Sequence, residues 1–293
     1  MRTRNAAITK ILRALYDASV TGAILALLFL FLPRIYVFGQ EMQMSSNEQA
    51  QQAPNTFWGQ PEKLGAGKIR TFVIVASDVD PATNYHPPLT IGVELDATSL
   101  SSLPNVKTML LTDFPIQAAR TPFQFMMIEW NPHGHPPAGI YDKPHFDFHF
   151  FIQDRQDALA IRPGSCAGVD CTDYRGAVQA VPTQYVPSGY TDIGLVAPFM
   201  GNHLVDLTSP EWNGRPFTRT IFVGAYHGRI TFLEPMITLA SLTSEPNSCS
   251  DLRQPASYAN AAYYPLRLCT HYDETTKKYR VYLEKWVYRS LTQ

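Results

Sequence analysis

The hydrophobic pattern of the chain begins with one long apolar run and continues as many short ones. The long run, ASVTGAILALLFLFL at residues 18–32, follows four basic residues within the first thirteen positions. A basic segment followed by an apolar segment is typical of a secretory signal. Val37 and Gly39 stand where cleavage would leave Gln40 as the first mature residue. The alternative is an uncleaved membrane anchor, because apolar residues continue to Phe38 and approach the ~20 residues of a spanning helix.

Residues 1–39 are therefore predicted to be a signal peptide or a membrane anchor. Residues 40–61 are rich in Gln, Ser, Asn and Pro and poor in large apolar side chains, which predicts a flexible linker. Residues 62–293 carry short apolar runs separated by Pro, Gly, Asn and Asp, a pattern typical of β-strands. The first four runs are RTFVIVAS, LTIGVELDA, KTMLLTDF and PFQFMMIEW, at residues 70–77, 89–97, 107–114 and 122–130.

Two later pairs of runs flank short polar turns and predict β-hairpins. TRTIFVGAY and RITFLEPMITLASL flank His227 and Gly228, and PLRLCTHY and KKYRVYLEKWVY flank DETTK. Only DRQDALAI, residues 154–161, favours a short helix. Strands joined by short turns predict one all-β domain with an antiparallel sheet, either a barrel or a sandwich, with short helices.

Charge excludes one class of partner. The formal net charge is −1, and removal of residues 1–39 would take away five basic residues and one acidic residue, leaving −5. No basic run interleaved with aromatic residues is present, so we expect no nucleic-acid partner. A membrane contact is expected only through the N-terminal segment, if it is not cleaved.

The four cysteines favour an oxidising, extracytoplasmic location, periplasmic, secreted or anchored facing outward. We expect one disulfide between Cys166 and Cys171 and another between Cys249 and Cys269. The alternative is a zinc site with four sulfur ligands, but the C-x4-C and C-x19-C spacings lack the paired C-x2-C knuckles of such sites.

Candidate chemistry is concentrated in the histidines. Four of the eight histidines lie within residues 133–149. In the segment HFDFHFF, strand alternation places His145, Asp147 and His149 on one face and phenylalanines on the other. His145 and His149 would be roughly 13 Å apart at their Cα atoms in a straight strand, so a single ion is not expected to bind both without a bend.

His133 and His135 form a second element, a His-x-His pair in a proline-rich loop. Imidazole nitrogen binds zinc, copper or iron, and we expect zinc. The predicted ligands are His133 and His135 with His145 or His149, and Asp147 would orient an imidazole from outside the ligand set. The alternative is that these histidines only cover a solvated strand face.

Two distant residues are further candidates for the same site. His203 follows a glycine in MGNH and could bind the metal or make a structural hydrogen bond. Glu234 lies in the otherwise apolar run ITFLEPMI, so it needs a partner. That partner is either the metal site, where Glu234 would be a ligand or an acid-base group, or an arginine such as Arg219 or Arg229.

PHGHPPAGIYDKPHFDFHFF, MGNHLVDLTSPEW and FVGAYHGRITFLEPMIT resemble a family of exported bacterial proteins of unknown function, first seen as a hypothetical protein of a thermophile. The resemblance covers residues 70–240 and implies a β-rich fold and a ring-like homo-oligomer, with no assigned reaction. Six candidate residues occupy motif positions of that family: His133, His135, His145, His149, His203 and Glu234.

Three functions follow from these observations. The first is an exported protein that binds a divalent transition metal through its histidine cluster. The second is a metal-dependent hydrolase or lyase acting on a small extracytoplasmic molecule, in which metal-bound water reacts and Glu234 or Asp147 is the catalytic group that moves the proton. The third is a ring-forming envelope protein that binds no metal.

Overall fold

The structure is a computed structural model that describes residues 55–290. The predictions for residues 1–39 and for most of the 40–61 linker therefore lie outside the described residues. Within residues 55–290, none of the helices has the length and apolar character needed to cross a membrane.

The described chain forms fifteen β-strands and four short α-helices, with brief 3-10 turns between them. The strands are β1 Thr56–Trp58, β2 Glu62–Leu64, β3 Gly67–Val75, β4 Pro88–Asp96, β5 Thr108–Asp113, β6 Phe125–Asn131, β7 His145–Phe151, β8 Pro163–Cys166, β9 Tyr190–Ala197, β10 Gly201–Asp206, β11 Arg219–Tyr226, β12 Arg229–Thr238, β13 Ser248–Asp251, β14 Ala262–Asp273 and β15 Lys278–Arg289. The helices are α1 Ala97–Leu100, α2 Arg155–Leu159, α3 Cys171–Ala177 and α4 Leu239–Ser244.

Fourteen of the strands form two antiparallel seven-stranded sheets, and β8 belongs to neither. The first sheet has the order β1-β3-β4-β15-β14-β13, with β2 also paired to β3, and the second has the order β5-β6-β7-β12-β11-β10-β9. Each ordered path ends in an edge strand, whereas a closed barrel has no edges. The predicted all-β fold is confirmed, and of its two forms the structure is the sandwich.

The core between the two sheets explains the phenylalanine pattern of β7. Phe146, Phe148 and Phe150 are fully buried and belong to one hydrophobic cluster with residues of the first sheet, such as Ile91 and Val281. Because side chains alternate along a strand, His145, Asp147 and His149 face the opposite side of the second sheet. That side is also buried, under the segments that connect the strands.

The predicted hairpins are confirmed, and the predicted helix is present as α2, but the helices α1, α3 and α4 were not predicted. Tyr226 pairs with Arg229 across a two-residue turn in which His227 and Gly228 both have positive φ, as a tight hairpin requires. Strands β14 and β15 pair along their whole length around the second predicted turn. The run RITFLEPMITLASL ends as a strand at Thr238, whose side chain accepts a hydrogen bond from the Ser241 amide and caps α4.

The boundary at residue 62 is too late. Strand β1, which lies within the predicted linker, pairs with β3, and the Arg70 guanidinium lies 3.6 Å from the centre of the Trp58 ring. A tryptophan supplies enough apolar surface to hold a short edge strand in place. The folded unit therefore includes Thr56–Trp58.

Both predicted disulfides are present, Cys166–Cys171 and Cys249–Cys269. The first links β8 to the start of α3, and the second joins residues that lie directly opposite each other in β13 and β14. No free cysteine remains among the described residues, so the four-sulfur zinc site is excluded.

Truncation of Phe148 to alanine is expected to reduce the free energy of unfolding by about 3–5 kcal/mol, because it leaves a cavity between two sheets that cannot close around it. Urea denaturation of the Phe148→Ala variant measures the loss. Ile116→Ala is the control, since Ile116 is 81% exposed and its truncation should change stability by no more than about 0.5 kcal/mol. Similar losses in the two variants would contradict the assignment of the core.

Candidate metal centre

The register of the second sheet places polar residues from several strands on one buried face. Asp147 of β7 is opposite Glu129 of β6 and Met236 of β12. On β10, His203 is opposite Gly224 of β11. Directly opposite residues point to the same side of a sheet. The face that carries Asp147 therefore collects chemistry-bearing side chains that are far apart in sequence.

The first group of these side chains contains His135, His145 and Asp147 and is called the loop site, because His135 lies in the loop between β6 and β7. His135 Nε2 lies 3.3 Å from Asp147 Oδ2, and His145 Nε2 lies 3.1 Å from Asp147 Oδ1. Asn131 donates a 2.7 Å hydrogen bond to Asp147 Oδ2. The carboxylate is thus held between two imidazoles and an amide.

The second group contains His149, His203 and Glu234 and is called the strand site, because β7, β10 and β12 each supply one residue. His149 Nε2 lies 3.2 Å from Glu234 Oε1, and His203 Nε2 lies 3.6 Å from Glu234 Oε2. Glu234 therefore pairs with histidines. The arginine partners considered from the sequence do not contact it; Arg219 donates instead to Ser248.

Both groups have the spacing that a metal ion requires. Ligands at 2.0–2.2 Å from a tetrahedral zinc ion lie roughly 3.3–3.6 Å from one another. In each group the ligand atoms all lie within 4.8 Å of one another, and the nitrogen-to-oxygen distances are close to that range. Each group could therefore hold a metal ion through two histidines and one carboxylate.

Several ligand atoms are buried without a hydrogen-bond partner, although a buried polar atom normally has one. These atoms are His145 Nε2, Asp147 Oδ1, His149 Nε2 and Glu234 Oε2, two in each group. In the loop site His145 Nε2 and Asp147 Oδ1 lie 3.1 Å apart without a hydrogen bond between them, and in the strand site Glu234 Oε2 lies 3.6 Å from His203 Nε2. An ion between them would satisfy both partners at once.

The other ring nitrogen of all four histidines is directed at a main-chain carbonyl. The Nδ1 atoms of His135, His145, His149 and His203 lie 2.7, 2.6, 3.3 and 2.9 Å from the carbonyl oxygens of Pro136, Lys143, Met127 and Leu195. Donation from Nδ1 leaves the Nε2 lone pair free, which is how metal-binding histidines are usually held. The backbone thus selects the tautomer that can bind a metal.

Burial and the carboxylates act in opposite directions on the imidazoles. Burial lowers the pKa of His135, but Asp147 outweighs it and raises that pKa to about 9. Burial likewise lowers the pKa of His149, and Glu234 raises it to about 9. For His203 burial outweighs the attraction of Glu234 and lowers the pKa, and the charges of His149 and His135 lower it further. A metal would displace a proton from these pairs, since only neutral imidazole binds it.

The carboxylate of Asp147 responds in the complementary way. Burial alone would raise the pKa of Asp147, but the hydrogen bonds and charges of His135 and His145 outweigh it and hold the pKa below its usual range. Asp147 is therefore an anion in the buried interior, available as a ligand.

The buried carboxylates in and beside this face outnumber the lysine and arginine side chains that pair with them. Glu129, Asp147, Glu211 and Glu234 are each less than 8% exposed. Lys107 pairs with Glu129 at 2.9 Å, but within the described part of the chain no lysine or arginine forms an ion pair with the other three carboxylates. Buried carboxylates are costly unless a cation compensates them. Protonated histidine or a bound metal ion must supply that charge.

The structure places the predicted ligands in two groups, whereas the sequence predicted one site for a single ion. His133 is exposed in the turn after β6 and belongs to neither group, while His135 reaches Asp147. His145 and His149 lie in different groups, as their spacing along a straight strand requires. Asp147 contacts the Nε2 atoms of His135 and His145, which makes it a candidate ligand itself, whereas the sequence predicted a position outside the ligand set.

Sequence reasoning missed two polar residues of β6. Glu129 is buried with Oε1 unpaired and lies opposite Asp147, and Asn131 donates to that same aspartate. Alternation within the run ending IEWN would have placed both on one strand face. Their position next to β7 depends on strand pairing, which the run itself does not reveal.

The methionines near the site pack as core residues. Met200 belongs to a cluster with Phe151 and Phe232, and Met236 belongs to another with Phe222. A methionine sulfur that faced the site would favour copper. Because both methionines pack in the core, they give no reason to prefer copper over zinc.

A cavity of about 1160 Å³ lies elsewhere. Tyr185, Tyr258 and Arg229 are among its lining residues, and none of the six residues of the loop site and strand site lines it. Phe232 lines this cavity and also contacts the rings of His149 and His203. The two candidate metal groups thus lie outside this cavity.

Comparison with protein families, curated proteins and solved structures found no match for the chain.

The strand site depends on a glycine that lies beneath an aromatic ring. A Cβ atom at Gly224 would lie 2.2 Å from the ring of Phe232, and that ring contacts His149 and His203 at centroid distances of 5.1 and 5.3 Å. Any side chain at position 224 would push the ring toward the two histidines.

The Gly224→Ala variant is expected to lose about 1–3 kcal/mol of unfolding free energy through overpacking. Combination with Phe232→Leu removes the ring atoms that the new methyl group meets. The loss of unfolding free energy in the double variant should therefore be about 1 kcal/mol smaller than the sum of the losses in the two single variants. Urea denaturation of the four proteins measures this coupling, and strictly additive losses would contradict the proposed contact.

Proposed function

We propose that this protein binds divalent transition-metal ions, zinc first, at the loop site and the strand site. The observation that carries the proposal is the set of buried, unpaired imidazole and carboxylate atoms that face one another in both groups. The main-chain contacts of the Nδ1 atoms support it, because they leave every Nε2 atom available. The excess of buried carboxylates supports it as well.

The ligand chemistry limits the choice of metal. Two histidines and one carboxylate bind zinc in hydrolytic enzymes and iron(II) in oxygenases. The disulfides support an oxidising compartment. Zinc does not change oxidation state there, whereas iron(II) would need protection from oxidation. Zinc is therefore the first ion to test, with iron and copper as comparisons.

A second candidate function is a metal-dependent hydrolase or lyase at the loop site. Three protein ligands leave one position of a tetrahedral ion free, and a bound ion there would lower the pKa of water. The His135 side chain is 27% exposed, which gives a small molecule a route to this group. Its ligands do not line the cavity of about 1160 Å³, which places binding ahead of catalysis in this proposal.

Export and self-association belong to the same proposal. The two disulfides support an extracytoplasmic location. The motif resemblance supports an exported protein that assembles into a ring-like homo-oligomer. The competing function, a ring-forming envelope protein without metal, predicts that the buried histidines pair only with protons and carboxylates.

Elemental analysis after zinc loading tests the proposal directly, on protein purified without a histidine tag and dialysed. We expect two zinc ions per chain, one for each group. The His135→Ala variant should bind one, because it removes a ligand of the loop site. The His133→Ala variant is the matched control and should still bind two, because His133 lies outside both groups.

The absence of stoichiometric zinc, iron and copper in the parent protein would overturn metal binding and leave the envelope protein as the better hypothesis. Loss of an ion in His133→Ala together with full binding in His135→Ala would instead show that the ligand assignment is wrong.

A further inference from the structure

We propose that the two sites are unequal: the strand site retains its ion as part of the fold, and the loop site exchanges its ion with the surroundings. This inference rests on the proposed function and goes beyond it, because it assigns a different role to each group. It identifies the exchanged ligand as a divalent transition-metal ion passed to or from a small chelating molecule.

The strand site is closed on all sides by sheet and aromatic rings. The side chains of His149, Glu234 and His203 are 1%, 3% and 9% exposed. Their strands belong to the run of neighbours β7-β12-β11-β10 in the second sheet. Release of an ion would require a ligand on a hydrogen-bonded strand to move within a packed core.

Aromatic packing restricts the side-chain movement of the two strand-site histidines. The ring of His149 contacts Phe151 and Phe232, and the ring of His203 contacts Phe222 and Phe232. Close-packed interiors allow few alternative rotamers. An incoming chelator could therefore reach this ion only after local unfolding of the sheet.

The loop site differs in one ligand. His145 and Asp147 are as buried as the strand-site residues, but His135 is 27% exposed and belongs to residues 132–144, outside the regular sheet. Movement of this loop would expose one face of the ion and leave the two β7 ligands in place. Loops open with smaller free energies than core strands.

The loop is nevertheless shaped to bring His135 back. The His135 amide donates to the Tyr141 carbonyl at 3.1 Å, and Lys143 Nζ donates to the Phe217 carbonyl at 3.1 Å. Gly134 has φ of +72°, and a Cβ there would lie 2.1 Å from the Tyr141 carbonyl oxygen. The loop therefore has a defined closed form, to which it would return after each opening.

Zinc release to an excess of 4-(2-pyridylazo)resorcinol, followed by its absorbance, tests the inference on the full chain loaded with zinc. We expect two phases of equal amplitude, with rates that differ roughly tenfold or more because loop opening needs less local unfolding than strand opening. The His135→Ala variant should lose the fast phase only. The His133→Ala control should keep both phases.

The slow phase is assigned with His203→Ala, and thermal unfolding accompanies each measurement. Loss of either ion should lower the melting temperature, and loss of the strand-site ion should lower it more, because its ligands connect three strands of one sheet. If His203→Ala fails to fold, the parent protein and His135→Ala still decide the question through their two phases.

The outcomes separate this inference from the proposed function. If no zinc binds, the proposed function itself fails. If two ions bind and leave in a single phase, metal binding stands and the inequality is overturned. Binding of only one ion, or loss of the slow phase in His135→Ala, also overturns it.

Discussion

The two-residue alternation of β7 is the constraint on which the rest of the structure depends. One set of its side chains, Phe146, Phe148 and Phe150, fills the core between the sheets. The other set, His145, Asp147 and His149, is forced onto the opposite face, which is buried under connecting segments. A shift of one residue in the pairing would exchange the two sets. Both the packing of the core and the position of the candidate ligands therefore depend on the pairing register of β7.

The spacing along this strand also explains why there are two groups of ligands. His145 and His149 stand too far apart for one ion, so each combines with the nearest carboxylate and a histidine from elsewhere. Asp147 serves one group, and Glu234, brought alongside by β12, serves the other. The two groups use the same ligand types. They differ in whether the third residue comes from a strand or from a loop.

Local pattern was sufficient to predict part of this structure. Alternation predicted the two faces of β7, turn residues predicted the hairpin at His227 and Gly228, and residue type identified His203 and Glu234 as candidates. Which ligands meet depends on pairing between strands that are distant in sequence, and one chain carries no direct signal for it. His133 and His135 are equivalent by residue type. Only the path of the loop turns one toward Asp147 and leaves the other in solvent.

The contacts of the Nδ1 atoms have a consequence for how this protein tolerates substitutions. In many metal sites a second layer of side chains orients the histidines, and each such residue is a further position at which a substitution damages the site. Here the orienting groups are carbonyl oxygens of Pro136, Lys143, Met127 and Leu195. A carbonyl is present whatever the side chain, so the orientation of the four imidazoles depends on the path of the backbone and not on the identity of these four side chains. A substitution that keeps this path would leave the choice of tautomer intact even where, as at the buried Met127, it disturbs packing.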